Sequence, residues 1–94
     1  MLVVCAKVLA KAEKLDLVKT ELLKLIEPTR AEAGCISYEL HQDNENPNLF
    51  FFFEHWESLE ILEKHLATQH IANYVKNTEG CLDEFTVQKL TKIS

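Results

Sequence analysis

The chain has 94 residues, with 15 acidic against 10 basic side chains and a formal net charge of −5. Its Lys residues are scattered along the chain, which argues against both the phosphate-neutralising surface of a nucleic-acid module and the basic face of a peripheral membrane helix. At 47% hydrophobic and 27% charged, with two Gly and two Pro, the composition is that of a folded protein, and the length suits one domain over residues 1–94.

Cys5, Cys35 and Cys81 form no CxxC pair and share no tight spacing, so neither a disulfide framework nor a zinc knuckle is expected. All three read as reduced thiols. The apolar start "MLVVCAKV" is cut by Lys7, too short for a signal-peptide core, and no later run approaches the ~20 apolar residues of a membrane span. A cytoplasmic protein is the expectation.

Residues 2–10, "LVVCAKVLA", are rich in β-branched side chains and predict a first strand. Over residues 13–33, Leu15, Val18, Leu22, Ile26, Thr29 and Ala33 recur at steps of three and four, the stripe of an amphipathic helix. Pro28 falls inside that stripe and predicts a kink, because its ring removes one amide donor and crowds the preceding turn. Gly34 is placed to stop the helix. Residues 35–43, "CISYELHQD", alternate as a second strand; "NENPN" is turn chemistry; the Phe run then opens a third strand, hairpin-paired with the second. Ser58 can cap a helix from Leu59, with Glu60 in its first turn and Leu59, Leu62 and Leu66 as its buried stripe. Thr68 can cap a further segment, "QHIANYVKN", so a bend is expected at Ala67 and Thr68. Residues 84–93, "EFTVQKLTKI", alternate as a last strand.

The order β-α-β-β-α-β predicts an α+β, ferredoxin-like domain, a four-stranded antiparallel sheet with helices on one face. The uncovered face of such a sheet should be polar in a monomer. In "LFFFFEHWES", however, Leu49, Phe51 and Phe53 point one way while Phe50 and Phe52 point the other. Something beyond the chain's own helices must cover the second face. A second copy, packed sheet to sheet in a two-fold homodimer, is the economical cover.

His65 and His70 are five residues apart, about 140° around an unbroken helix, so they are not an i, i+4 metal pair. A bend at Thr68 would change their directions and let both converge. Either could act as a base or as a ligand-orienting donor. Glu54 and Trp56 continue the Phe50 and Phe52 face; poor solvation there would raise the carboxyl pKa. The flat indole, beside Tyr38 and the Phe rings, suits a planar aromatic guest. The candidate catalytic residues are His65, His70 and Glu54, with Tyr38, Phe50, Phe52 and Trp56 as candidates for binding substrate and no metal ligands; the competing readings are hydrogen-bonded helix histidines, a strand-end carboxylate and core aromatics. No GxGxxG, P-loop, HExxH or GxSxG motif occurs, so nucleotide, zinc-protease and esterase chemistry lack support.

The stretch "EHWESLEILEKHLATQHI", residues 54–71, resembles the antibiotic biosynthesis monooxygenase family, particularly its quinol monooxygenase branch. That family shows Glu-x-Trp-x-Ser at a strand end, then a helix carrying His-Leu and a second His five residues after the first. The matching positions are Glu54, Trp56, Ser58, His65, Leu66 and His70. Upstream, "PTRAEAGCISYEL" is similar to the family's helix end and second strand, with Glu32-Ala33-Gly34 where Glu-Pro-Gly is common. The resemblance implies a dimeric α/β barrel with sheets face to face. It also implies a monooxygenase of quinols or related electron-rich aromatics that uses O₂ without a cofactor. Other members of the family isomerise a phosphorylated sugar derivative or cleave haem. The haem branch is disfavoured by the lack of Asn in the first strand and by His65 where a Trp would be expected. A phosphosugar isomerase would need a cationic anchor, for which Arg30 and Lys7 are undiagnostic. A non-catalytic dimeric ligand-binding module is the remaining alternative.

Overall fold

The computed structural model of the chain describes residues 1–94. Its elements are β1 (Leu2–Ala10), a 3₁₀ turn (Ala12–Lys14), α1 (Leu15–Lys24), α2 (Ile26–Arg30), β2 (Cys35–Gln42), β3 (Leu49–Trp56), α3 (Leu59–Leu66), α4 (Gln69–Asn77) and β4 (Leu82–Leu90). The strands form one sheet in the order β2-β3-β1-β4, with every neighbouring pair antiparallel. This is the ferredoxin-like plan expected from the sequence. The sheet is open, with β2 and β4 at its edges, so no barrel closes within one chain. No helix is long and apolar enough to cross a membrane.

Strand register sorts the side chains between the two faces. Trp56 lies opposite Leu2, Glu54 opposite Val4 and Tyr38, and Phe52 opposite Ala6 and Leu40. These residues share the helix face, where Val4, Val8, Phe50 and Trp56 are buried with Val18 and Leu22 of α1 and Leu62 of α3. The other face carries Val3, Cys5, Lys7 and Leu9 opposite His55, Phe53, Phe51 and Leu49. Its apolar side chains are only half-buried, and Phe53 is 43% exposed.

Several local expectations are corrected. The first helix breaks at Leu25 rather than continuing to Pro28. A proline ring collides with the carbonyl four residues earlier, here that of Lys24, so the break falls one turn before the proline itself. Helical structure ends at Arg30 and leaves Ala33 exposed in the following turn. In α3 the buried residues are Leu62 and His65, whereas Leu59 and Leu66 are 43% and 53% exposed. β4 occupies Leu82–Leu90, slightly earlier than expected, and its side chains beyond Leu82 are exposed on both faces.

Local polar contacts explain the joints. Asp43 accepts from the amides of Glu45 and Asn46 at 3.0 and 2.7 Å, closing the β2-β3 turn. Ser58 caps α3 by accepting from the Ile61 amide at 3.3 Å. Thr68 occupies the cap position of α4, but its hydroxyl points backward and donates to the His65 carbonyl at 2.7 Å. That bond satisfies the end of α3 and fixes the bend between the two helices. Gly34 has φ +88°, and a Cβ there would lie 2.6 Å from Cγ2 of Ile61 in α3. Glycine is therefore needed both for its backbone conformation and for the close approach of α3.

Candidate active site

Between the helix face of the sheet and helices α3 and α4 lies a cavity of about 810 Å³. Its walls are mostly apolar, formed by Val4, Ala6, Val8 and Phe52 on the sheet side and Leu62 and Ile71 on the helix side. Tyr38 and Glu54 from the sheet, His65 from α3 and Tyr74 from α4 bring polar groups to it, and Lys76, Thr78 and Glu79 line its rim at the end of α4. The exposed Phe85 and Val87 of β4 also line it, so it opens toward that uncovered edge of the sheet.

The aromatic groups hold one another in place. Tyr38 stacks on Phe52 with ring centroids 4.8 Å apart and meets His65 edge-on at 5.7 Å. His65 lies over Trp56 at 4.6 Å, and Trp56 donates its indole N–H to Oε1 of Glu54 at 2.9 Å. Trp56 thus links the base candidate to the acid candidate from behind, without lining the cavity itself.

Glu54 is only 5% exposed, and burial pushes its carboxyl up to about 7, opposed by the Trp56 hydrogen bond and reinforced by the charge of Glu32. Burial likewise raises the Tyr38 phenol far above its usual range, with the Glu54 charge adding to it, and pushes Tyr74 up to about 12. Both phenols therefore stay protonated at neutral pH. The Tyr74 hydroxyl is buried and makes no hydrogen bond of ordinary length, with the Thr78 side chain beside it. His65 moves the other way: burial holds its pKa down, partly offset by hydrogen bonding to Glu32. The cavity accordingly pairs a neutral imidazole with a carboxylic acid near half-protonation, a separation of acid and base roles set by environment.

Glu32, in the turn after α2, completes the arrangement. Its Oε2 accepts from Nδ1 of His65 and from Nε2 of His70, each at 2.7 Å. The carboxylate contact places the His65 proton on Nδ1, leaving Nε2 as the nitrogen with a free lone pair.

The bend at Ala67 and Thr68 makes both histidines converge on one carboxylate, as a broken helix allowed. Of the seven residues expected at the site, Tyr38, Phe52, Glu54 and His65 line the cavity. Trp56 stands behind them, Phe50 lies in the closed core, and His70 sits outside against Glu32. Glu32 and Tyr74 were not among the expected residues. The only sequence signals for them were the Glu-Ala-Gly triplet before β2 and a Tyr one helical turn beyond His70.

The raised Glu54 pKa makes a pH prediction. Between about 4.5 and 7 the folded state keeps this proton while the unfolded state releases it, so stability falls as pH rises through that window. The loss approaches about 3 kcal/mol for this buried group. Replacing Glu54 by Gln keeps the side-chain shape and removes its titration. Glu54→Gln should therefore gain on the parent by several degrees in melting temperature between pH 5 and pH 8. A constant difference across that range would refute the assignment.

A ferredoxin-like sheet with a neutral-base, neutral-acid cavity under its helices is compatible with several chemistries; comparison with known proteins defines the family. The antibiotic biosynthesis monooxygenase profile matches residues 1–77, and the chain belongs to that family. An uncharacterised protein of Synechocystis is 33% identical over 97 residues, covering 99% of this chain and 63% of that protein. The chain thus spans under two thirds of that relative's length. A Mycobacterium tuberculosis protein named by inference as a monooxygenase is 32% identical over 71 residues, covering 76% of this chain and 69% of its own length. Among solved structures, a Pseudomonas aeruginosa protein superposes with a TM-score of 0.95 at 32% identity, covering 99% of this chain and 94% of that one. A crystal structure described as an antibiotic biosynthesis monooxygenase gives 0.94 at 32% identity, with both chains fully covered.

Proposed function

We propose that the chain is a monooxygenase acting on a quinol or related electron-rich phenol, with O₂ as co-substrate and no organic cofactor. The observation that carries this reading is the apolar cavity in which a neutral His65 faces the same space as the protonatable Glu54 and two protonated phenols. Membership of a monooxygenase family supports it.

In this mechanism Nε2 of His65 takes the phenolic proton, while Glu32 at Nδ1 stabilises the imidazolium that forms. Tyr38, Tyr74 and the protonated form of Glu54 donate to the resulting oxyanion. The anion is rich enough in electrons to reduce O₂ directly. One oxygen atom enters the ring and the other leaves as water, so that a hydroquinone and O₂ yield a hydroxyquinone and H₂O. The flat guest would slide between Phe52 and the α3-α4 side chains.

We also propose that two chains pair through their open sheet faces, where Val3, Cys5, Leu49, Phe51 and Phe53 leave apolar surface half-covered. The pairing would create the dimeric barrel that one chain does not close.

Oxygen uptake by metal-stripped protein against a panel of reduced benzoquinols, naphthoquinols and anthrones tests the function. Uptake well above the spontaneous rate, with one quinone formed per O₂, is the expected result. A folded protein that binds these compounds without consuming O₂ would overturn the oxygenase reading.

A further inference from the structure

We propose that Glu32, His65 and His70 form a binding site for one divalent first-row transition cation. The donor set is two imidazole nitrogens and one carboxylate oxygen, a combination suited to such ions. Nδ1 of His65 and Nε2 of His70 each stand 2.7 Å from Oε2 of Glu32, and one ligand atom from each of the three residues lies within 4.8 Å of the other two. Around an ion with bonds of about 2.1 Å, neighbouring donors stand about 3.0 to 3.4 Å apart. The Glu32 contacts at 2.7 Å need to open by a few tenths of an ångström, and the two nitrogens need to draw together. Glu32 and His70, the more exposed of the three, are the side chains that would have to move.

The surroundings fit the proposal. His65 is 3% exposed and held against Trp56, providing one rigid ligand. Glu32 and His70 expose 16% and 23% of their side chains, so a hydrated ion reaches them from solvent. The three ligands come from three segments: the turn after α2, the end of α3 and the start of α4. The Thr68 hydroxyl fixes the bend between the two helices. The ion would replace the two hydrogens that now converge on the single Glu32 oxygen. Each imidazole would bind as the neutral ring through the nitrogen that now faces Glu32, its remaining proton carried on the other ring nitrogen.

The site stands on these three side chains and does not depend on the oxygenase reading. If that reading holds, occupancy places a proton on Nε2 of His65, removes the base and inhibits turnover.

The test is titration of tag-free, metal-stripped full chain with Co²⁺, followed by visible absorption, and with Zn²⁺, followed by calorimetry and thermal melting. One ion per chain is expected, with a rise in melting temperature. Glu32→Gln and His70→Ala should each weaken binding by ~10-fold or more, while His41→Ala, on the opposite sheet face, should leave it unchanged. Glu32→Gln preserves the side-chain shape, and melting curves without metal establish that each variant is folded. Absence of saturable binding up to ~1 mM metal, or binding undiminished in both folded ligand variants, would overturn the site. Neither outcome bears on oxygen uptake by the metal-free chain, so the two proposals fail separately.

Discussion

His65→Ala should lower kcat for quinol oxidation in the metal-free protein by about 10²–10⁴-fold, the range for loss of a positioned general base. The proposed mechanism takes His65 rather than His70 as the base. His65 reaches the cavity and is kept neutral by burial, whereas His70 meets Glu32 on the outer side. The same substitution removes a buried ring stacked on Trp56, so it must be separated from a folding defect. His65→Gln keeps much of the volume and a polar group but lacks a basic nitrogen, and should be nearly as inactive while melting close to the parent. High activity in a folded His65→Gln variant would remove His65 from the mechanism. His70→Ala should retain much more activity, with its loss confined to the support Glu32 gives to both rings.

Trp56→Ala should cost about 3–5 kcal/mol, the range for truncating a fully buried large aromatic. The side chain is 0% exposed, and about 3 kcal/mol corresponds to a fall of more than 10 °C in melting temperature for a domain near this size. The damage extends beyond packing, because the indole is both the surface under His65 and the donor to Glu54. Trp56→Phe separates these roles. It keeps an aromatic plate but deletes the N–H, which should push the Glu54 carboxyl above about 7 because that hydrogen bond is what lowers it. Following the Glu54 carboxyl by NMR titration in this variant would measure the effect; an unchanged midpoint would show that the bond has no such influence.

The fold was legible because each change of period in the sequence marks a real element. The alternation around Cys35 to Gln42 became β2, the turn chemistry after it is built by Asp43, and Ser58 caps α3 as its position implies. The errors arose where polar partners override hydrophobic ranking. In α3 the apolar spacing selects Leu66, yet the chain buries His65 instead, because Glu32 supplies its hydrogen bond and Trp56 its packing surface. Glu32 itself was invisible as a site residue, since its proximity to His65 and His70 depends on long-range folding across 33 and 38 positions. Phe50 and Phe52 share a strand face, but register alone could not distinguish the ring beneath closed core from the ring beneath the cavity. Tyr74 became conspicuous only when its hydroxyl proved to be buried without a hydrogen bond of ordinary length.

The missing side chain at Gly34 acts as a spacing gauge. Ile61 presses into the place where a Cβ would stand, and it lies one helical turn before His65 on the same helix. Gly34 in turn is two residues beyond Glu32. Steric contact between turn and helix thus sets how closely carboxylate and imidazole approach, before any hydrogen bond forms. Because van der Waals contact is insensitive to protonation, this spacing between turn and helix does not depend on the charge carried by His65 or Glu32.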